Sequence, residues 1–128
     1  MPAFQGSWID AKGRYRERRR DEWGVLWQHL IFGVAGHPLE RPLDDWAALA
    51  GYRGPVAPAR EGPDFDAQRE QAARHMDRAF LKSGWISVFE TMPALRRFED
   101  VLRDLASGGP EIHRLADLVT EYRLAEIE

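Results

Sequence analysis

The side chains whose type and place suit chemistry are His37, Ser87, Glu90, Arg96 and Arg97. His37 stands between Gly36 and Pro38 in an apolar stretch broken by turns, where an imidazole can meet an anion or act as acid or base. The blander outcome is a histidine packed into a turn. Ser87 and Glu90 fall where a strand-like run, Phe80 to Val88, passes into a helical one. A carboxylate there can face a ligand, or simply favour the positive end of the helix. Arg96 and Arg97 carry guanidinium groups suited to two-point contact with carboxylate or phosphate. Ion pairs with Glu99 or Asp100 on a solvated helix face are the ordinary alternative. None of these residues is given the role of a catalytic base, so the catalytic residues stay unknown and the five are candidate ligand contacts.

Other chemistries lack their residues. There are no cysteines, so the chain has no thiol nucleophile, disulfide framework or thiolate metal site. His29, His75 and His113 have no suitably spaced partners, and no metal site is expected from them. No P-loop, dinucleotide fingerprint, HExxH or GxSxG is present. Arg16, Arg18, Arg19 and Arg20 form a basic cluster, but Asp21 and Glu22 adjoin it. With a net charge of -3, that reads as a charged hairpin tip, not a nucleic-acid surface. Trp23 and Trp27, with Phe32 and Trp46, suit a pocket for a planar ligand or, more ordinarily, a small core or interface.

The elements that would position these groups follow from periodicity. A chain of 128 residues fits one domain with a real core. Residues 1–50 read as an aromatic hairpin and loop module, 51–63 as a Gly/Pro loop, and 64–128 as helix, strand, helix, helix. Tyr15, Trp23, Val25 and Trp27 alternate with polar residues, which predicts a twisted hairpin. It lacks an Asn-Gly or Asp-Gly turn, so its register is open. Asp44 or Asp45 is placed to cap one or two helical turns at Trp46 to Leu49. The run from Phe65 to Arg78 has only a thin apolar stripe and predicts an outlying helix. Phe80 to Val88 reads as a strand that must pair with the hairpin or with another chain. Phe89, Met92, Leu95, Phe98, Leu102 and Leu105 recur at helical spacing, with Thr91 as a candidate cap and Pro93 in the first turn. Ser107 to Pro110 ends that helix, and Ile112, Leu115, Ala116, Val119 and Tyr122 line the last one. The start has neither a basic region nor an apolar run, and no segment approaches about 20 apolar residues, so the chain reads as cytoplasmic, with no membrane partner.

The run Asp21-Glu22-Trp23-Gly24-Val25-Leu26-Trp27, then Gly36-His37-Pro38-Leu39, Pro42-Leu43, Trp46, Leu49 and Gly51-Tyr52-Arg53-Gly54-Pro55, resembles the central part of uroporphyrinogen decarboxylase-like proteins. These include corrinoid-dependent methyltransferases. Gly84 to Glu90 with Leu95 to Leu102 is similar to a strand-to-helix segment of that family, and Pro110-Glu111, Leu115, Leu118 and Tyr122 to its next helix. The resemblance covers roughly residues 13–128 and implies an α/β fold, a partial (β/α) barrel-like fragment, or partial TIM barrel, with an irregular N-terminal hairpin region and a helical C-terminal half. A whole barrel takes about 250 residues, so the implied protein is a split or truncated subunit of a tetrapyrrole decarboxylase or corrinoid methyltransferase. Its partner would be a homo-oligomer mate or a complementary barrel-completing subunit. His37, Ser87 and Glu90 would then line the pocket, and arginines would neutralise acidic substituents. The family's N-terminal arginine-rich segment, its early-strand aspartate and its His and Cys zinc ligands have no match here. No cofactor is therefore expected in this chain, with corrinoid and zinc entering only where a partner completes a methyltransferase site. The alternative is a non-enzymatic oligomerising or binding module derived from that fold.

Overall fold

Asp21 and Gly24 turn the chain back on itself. In the computed structural model, which describes residues 5–82, 84 and 86–127, β1 (Glu17–Arg20) and β2 (Leu26–His29) pair antiparallel, with Glu17 opposite His29 and Arg20 opposite Leu26. The Asp21 N–H donates to Val25 O at 3.0 Å, and its carboxylate accepts from Val25 N at 2.9 Å and Trp27 Nε1 at 2.7 Å. Gly24 closes the turn at φ 83°, a conformation glycine adopts without a Cβ clash. The hairpin thus forms as expected, and its turn signal is Asp21 with Gly24 in a three-residue loop, not an Asn-Gly pair.

The apolar stretch after β2 turns at Ile31, whose carbonyl accepts from Val34 N at 3.2 Å, and returns as β3 (His37–Glu40). β3 pairs antiparallel with β2, and the register slips between Leu26 and Trp27. Pro38 has no N–H to give, which an edge strand tolerates. The sheet order is β1-β2-β3.

This sheet overturns the partial (β/α) barrel. Barrel strands are parallel and joined by crossover helices, whereas both pairings here are antiparallel, both connections are short turns, and the three-stranded sheet is not closed. The decarboxylase-like and methyltransferase-like labels lose whatever support they drew from a barrel. The expected strand at Phe80 to Val88 is corrected as well. None of its described residues is in a strand, Val88 already belongs to a helix, and Ser83 and Trp85 lie outside the described residues. The backbone argument for a partner strand from another chain falls with it.

A single 3-10 turn, Trp46–Ala48, follows the sheet and is capped by Asp45, whose side chain accepts from Ala47 N at 2.9 Å. After the Gly/Pro loop comes α1 (Pro63–His75), with proline at its start, Asp64 and Asp66 in the first turn and Arg74 and His75 in the last. This arrangement suits the helix dipole, yet α1 buries no residue, as its thin stripe implied. The long helix expected from Phe89 to Leu105 is two helices, α2 (Val88–Leu95) and α3 (Phe98–Ser107). Ser87, not Thr91, caps α2 by accepting from Glu90 N at 3.1 Å, and Pro93 sits inside the helix. The break falls at Arg96, which is extended at φ -138° and ψ 154°. Gly108 ends α3 at φ 67°, and α4 (Pro110–Ile127) completes the described chain.

The core lies where the hairpin turn meets the helices. Trp23 and Val25 pack with Leu43 and Leu49, with Met92 and Leu95 of α2, Val101 of α3, and Ile112, Leu115 and Val119 of α4. Leu43 N donates to Leu95 O at 3.0 Å, which ties the segment after the sheet to the end of α2.

Candidate functional site

Arg123 is the centre of the most chemically furnished groove. It extends the inner stripe of α4 one turn past Val119, where an apolar residue would be the usual occupant. Its guanidinium lies with Cζ 5.6 Å from the ring centres of both Trp23 and Tyr122. Nη1 donates to Glu126 at 2.6 Å and Nη2 to Thr91 Oγ1 at 2.9 Å. The side chain is only 16% exposed, and its buried Nε has no hydrogen-bond partner among the described residues. An orphaned donor on a buried cation is costly unless something accepts from it.

The surrounding elements fix this arrangement. Trp23 is held by Tyr52, whose hydroxyl donates to Trp23 O at 2.7 Å, and by edge-to-face packing on Tyr122 at 4.9 Å. Burial, with the Asp21 charge adding to it, pushes the Tyr52 hydroxyl up to about 12, so it stays a donor. Thr91 is oriented by donating to Ser87 O at 2.7 Å. Two hollows open on either side of this constellation. One, of about 620 Å³, is lined by Arg19, Arg20, His29 and Gly36. The other, of about 200 Å³, is lined by Ser87, Glu90 and Thr91. They share Asp21, Trp23, Trp27 and Arg123.

Of the expected site residues, the structure brings Ser87 and Glu90 together in the smaller hollow. His37 is elsewhere: it is exposed on β3 opposite Gln28 and lines neither hollow. Arg96 is buried and engaged through Nε and Nη1. It donates to Asp104 at 2.7 Å and to the carbonyls of Leu43 and Asp44 at 3.0 and 2.9 Å, and stacks 4.2 Å above Trp46. Those bonds clamp the α2–α3 break to the segment after the sheet. Arg97 is exposed and pairs with Asp44 at 3.6 Å. Trp23 and Trp27 line both hollows, Phe32 and Trp46 line neither, and Trp23 also belongs to the core. Arg123, Thr91 and Asp21 were not singled out as site residues. The available signal for Arg123 was a cation on the apolar stripe of the last helix.

A separate hollow of about 460 Å³ lies between the loop at Pro58 to Gly62, the start of α1 and Ala125. α1 buries nothing, so the packed element that reaches this hollow is the end of α4, through Ala125 and Glu126. Among the described residues no group of three or more His, Asp or Glu could hold a metal. The zinc implied by the resemblance would thus need ligands from another chain, and among the described residues no helix is long and apolar enough to cross a membrane.

No protein-family model, curated protein or solved structure matches the chain.

Proposed function

We propose that this chain is a binding module that takes an anionic ligand with a planar or apolar body in the Arg123 groove. The observation that carries the reading is the buried, unpartnered Nε of Arg123 beside Trp23. Arg19 and Arg20 at the rim add positive charge, and Trp27 adds an aromatic wall. Carboxylate bound to a partly buried guanidinium is worth more than at an exposed site. The likeness of residues 21–27 to uroporphyrinogen decarboxylase-like proteins makes a tetrapyrrole polycarboxylate the natural first probe. Titration of tryptophan fluorescence with uroporphyrin should show saturable quenching, weakened about tenfold or more by Arg123→Gln. Equal quenching by the octamethyl ester, which has the ring but no carboxylates, would reject the reading.

A second reading is favoured by the convergence of Ser87 and Glu90 with Arg123 in the smaller hollow: the chain contributes to a decarboxylase or methyltransferase site completed by another subunit. Carbon dioxide release from uroporphyrinogen that is abolished by Glu90→Gln would support the decarboxylase form. Unchanged release in that variant would remove Glu90 from it.

A further inference from the structure

Next to the larger hollow, which His29 and Arg19 also line, Glu17 and His29 face each other as a cross-strand pair on β1 and β2. Both line a cleft of about 200 Å³, completed by Arg19, Phe32 and the backbone turn at Gly33 to Ala35. Glu17 is 4% exposed, which is rare for a carboxylate unless it is fully partnered. Its Oε2 accepts from the Tyr15 hydroxyl at 2.7 Å, while Oε1 has no hydrogen-bond partner among the described residues. Arg19 Nε is 3.7 Å from Oε1, an ion pair beyond hydrogen-bond length. Tyr15 remains a donor because burial, then its bond to Glu17, pushes its hydroxyl up to about 12.

His29 presents the matching half. Nδ1 lies 3.1 Å from Val34 O, and since a carbonyl only accepts, Nδ1 carries the hydrogen in this contact. In that tautomer Nε2 is a bare acceptor, and it too is buried with no hydrogen-bond partner among the described residues. Gly36 holds the ring in place by close approach: a Cβ there would stand 2.5 Å from Gln28 O and 3.0 Å from His29 Cε1. Two acceptors on adjacent strands that receive no hydrogen bond among the described residues, one of them on a nine-tenths buried carboxylate, thus share one cleft with an aromatic wall. A buried acceptor that receives no hydrogen bond is destabilising.

We propose that this cleft binds a compact organic cation with at least two N–H donors, a primary ammonium or an amidinium, bridging Glu17 Oε1 and His29 Nε2 against Phe32. Carboxylate and aromatic face both favour such a cation. The volume, equal to about six or seven waters at 30 Å³ each, limits it to a small head group. Arg19, whose side chain is 52% exposed, is displaced from Oε1 on binding. The cleft adjoins the Arg123 groove through Arg19, His29 and Ala35 but takes a ligand of the opposite charge, so the two readings are told apart by the charge of the probe.

The test is NMR of the His29 ring nitrogens in the full chain during titration with acetamidinium. A saturable shift of Nε2 is expected, weakened about tenfold or more in Glu17→Gln and strengthened in Arg19→Gln. Tetramethylammonium, with the same charge and no N–H, should leave the signal in place, a control that needs no variant. No shift with acetamidinium, an equal shift with tetramethylammonium, or equal affinity in a folded Glu17→Gln would each overturn the proposal. So would a saturable response to acetate that disappears in Arg19→Gln, since that marks an anion site.

Discussion

Adjacent arginines in this chain have opposite fates, and side-chain surroundings decide which. Arg96 spends its donors on Asp104, Leu43 and Asp44 and stacks on Trp46, whereas Arg97 makes one long, exposed pair. Arg96→Gln should destabilise the fold by about 3 kcal/mol, because Asp104 and two carbonyls lose their partner. Arg97→Gln should change it by less than about 0.5 kcal/mol. Urea unfolding followed by circular dichroism distinguishes the two. Tyr52 provides a pH signature. Its folded pKa is raised to about 12, by burial first and the Asp21 charge second, from an ordinary 10.0. The neutral phenol's contribution is therefore complete below pH 10 and is lost as pH rises through 12. Thermal melting across that window should show this loss in the wild type and a smaller one in Tyr52→Phe, which is itself less stable at neutral pH by about 1 kcal/mol for the lost bond to Trp23 O.

The elements were legible wherever a local rule and the packing agree. The hairpin, the Asp45 cap, the outlying α1 and the last helix all follow from alternation, capping chemistry and apolar spacing. Two elements were misread for physical reasons. Phe80 to Val88 has the composition of a strand, but strand structure needs a hydrogen-bonded neighbour, and the sheet ends at β3. The helix read from Phe89 to Leu105 keeps good periodicity across its break. The break is imposed by tertiary bonds to Arg96 that no spacing reveals. Ser87 lines the smaller hollow and also caps α2. The cap role predicts that Ser87→Ala costs about 1 kcal/mol and Ser87→Asp nearly nothing. Equal losses in both, measured by thermal melting, would show that the hydroxyl serves something other than Glu90 N. The candidate groove was half legible: Trp23, Trp27, Ser87 and Glu90 stood out by type, but Arg123 looked like one more helical cation.

At the scale of the whole molecule, the apolar residues of α3 and α4 divide unequally between core and solvent. Leu115 is fully buried at the junction of hairpin turn, α2 and α4, while Phe98, Leu102 and Leu105 stay 47%, 45% and 44% exposed. Burial, not hydrophobicity in the sequence, sets what each contributes. Leu115→Ala should cost about 2–5 kcal/mol, combining lost transfer energy with a cavity that the surrounding elements cannot close. Phe98→Ser should cost far less, since nearly half of its surface is already in water; what remains is its edge contact with Phe89 at 6.5 Å. Urea midpoints at matched protein concentration measure both. Because Trp23 belongs to the same core as Leu115 and also walls the Arg123 groove, Leu115→Ala should weaken uroporphyrin quenching along with stability. Phe98→Ser, lying outside that core, should leave quenching unchanged. A Leu115→Ala protein that loses stability but keeps full quenching would show that Trp23 and Arg123 keep their places without the Leu115 packing beneath them.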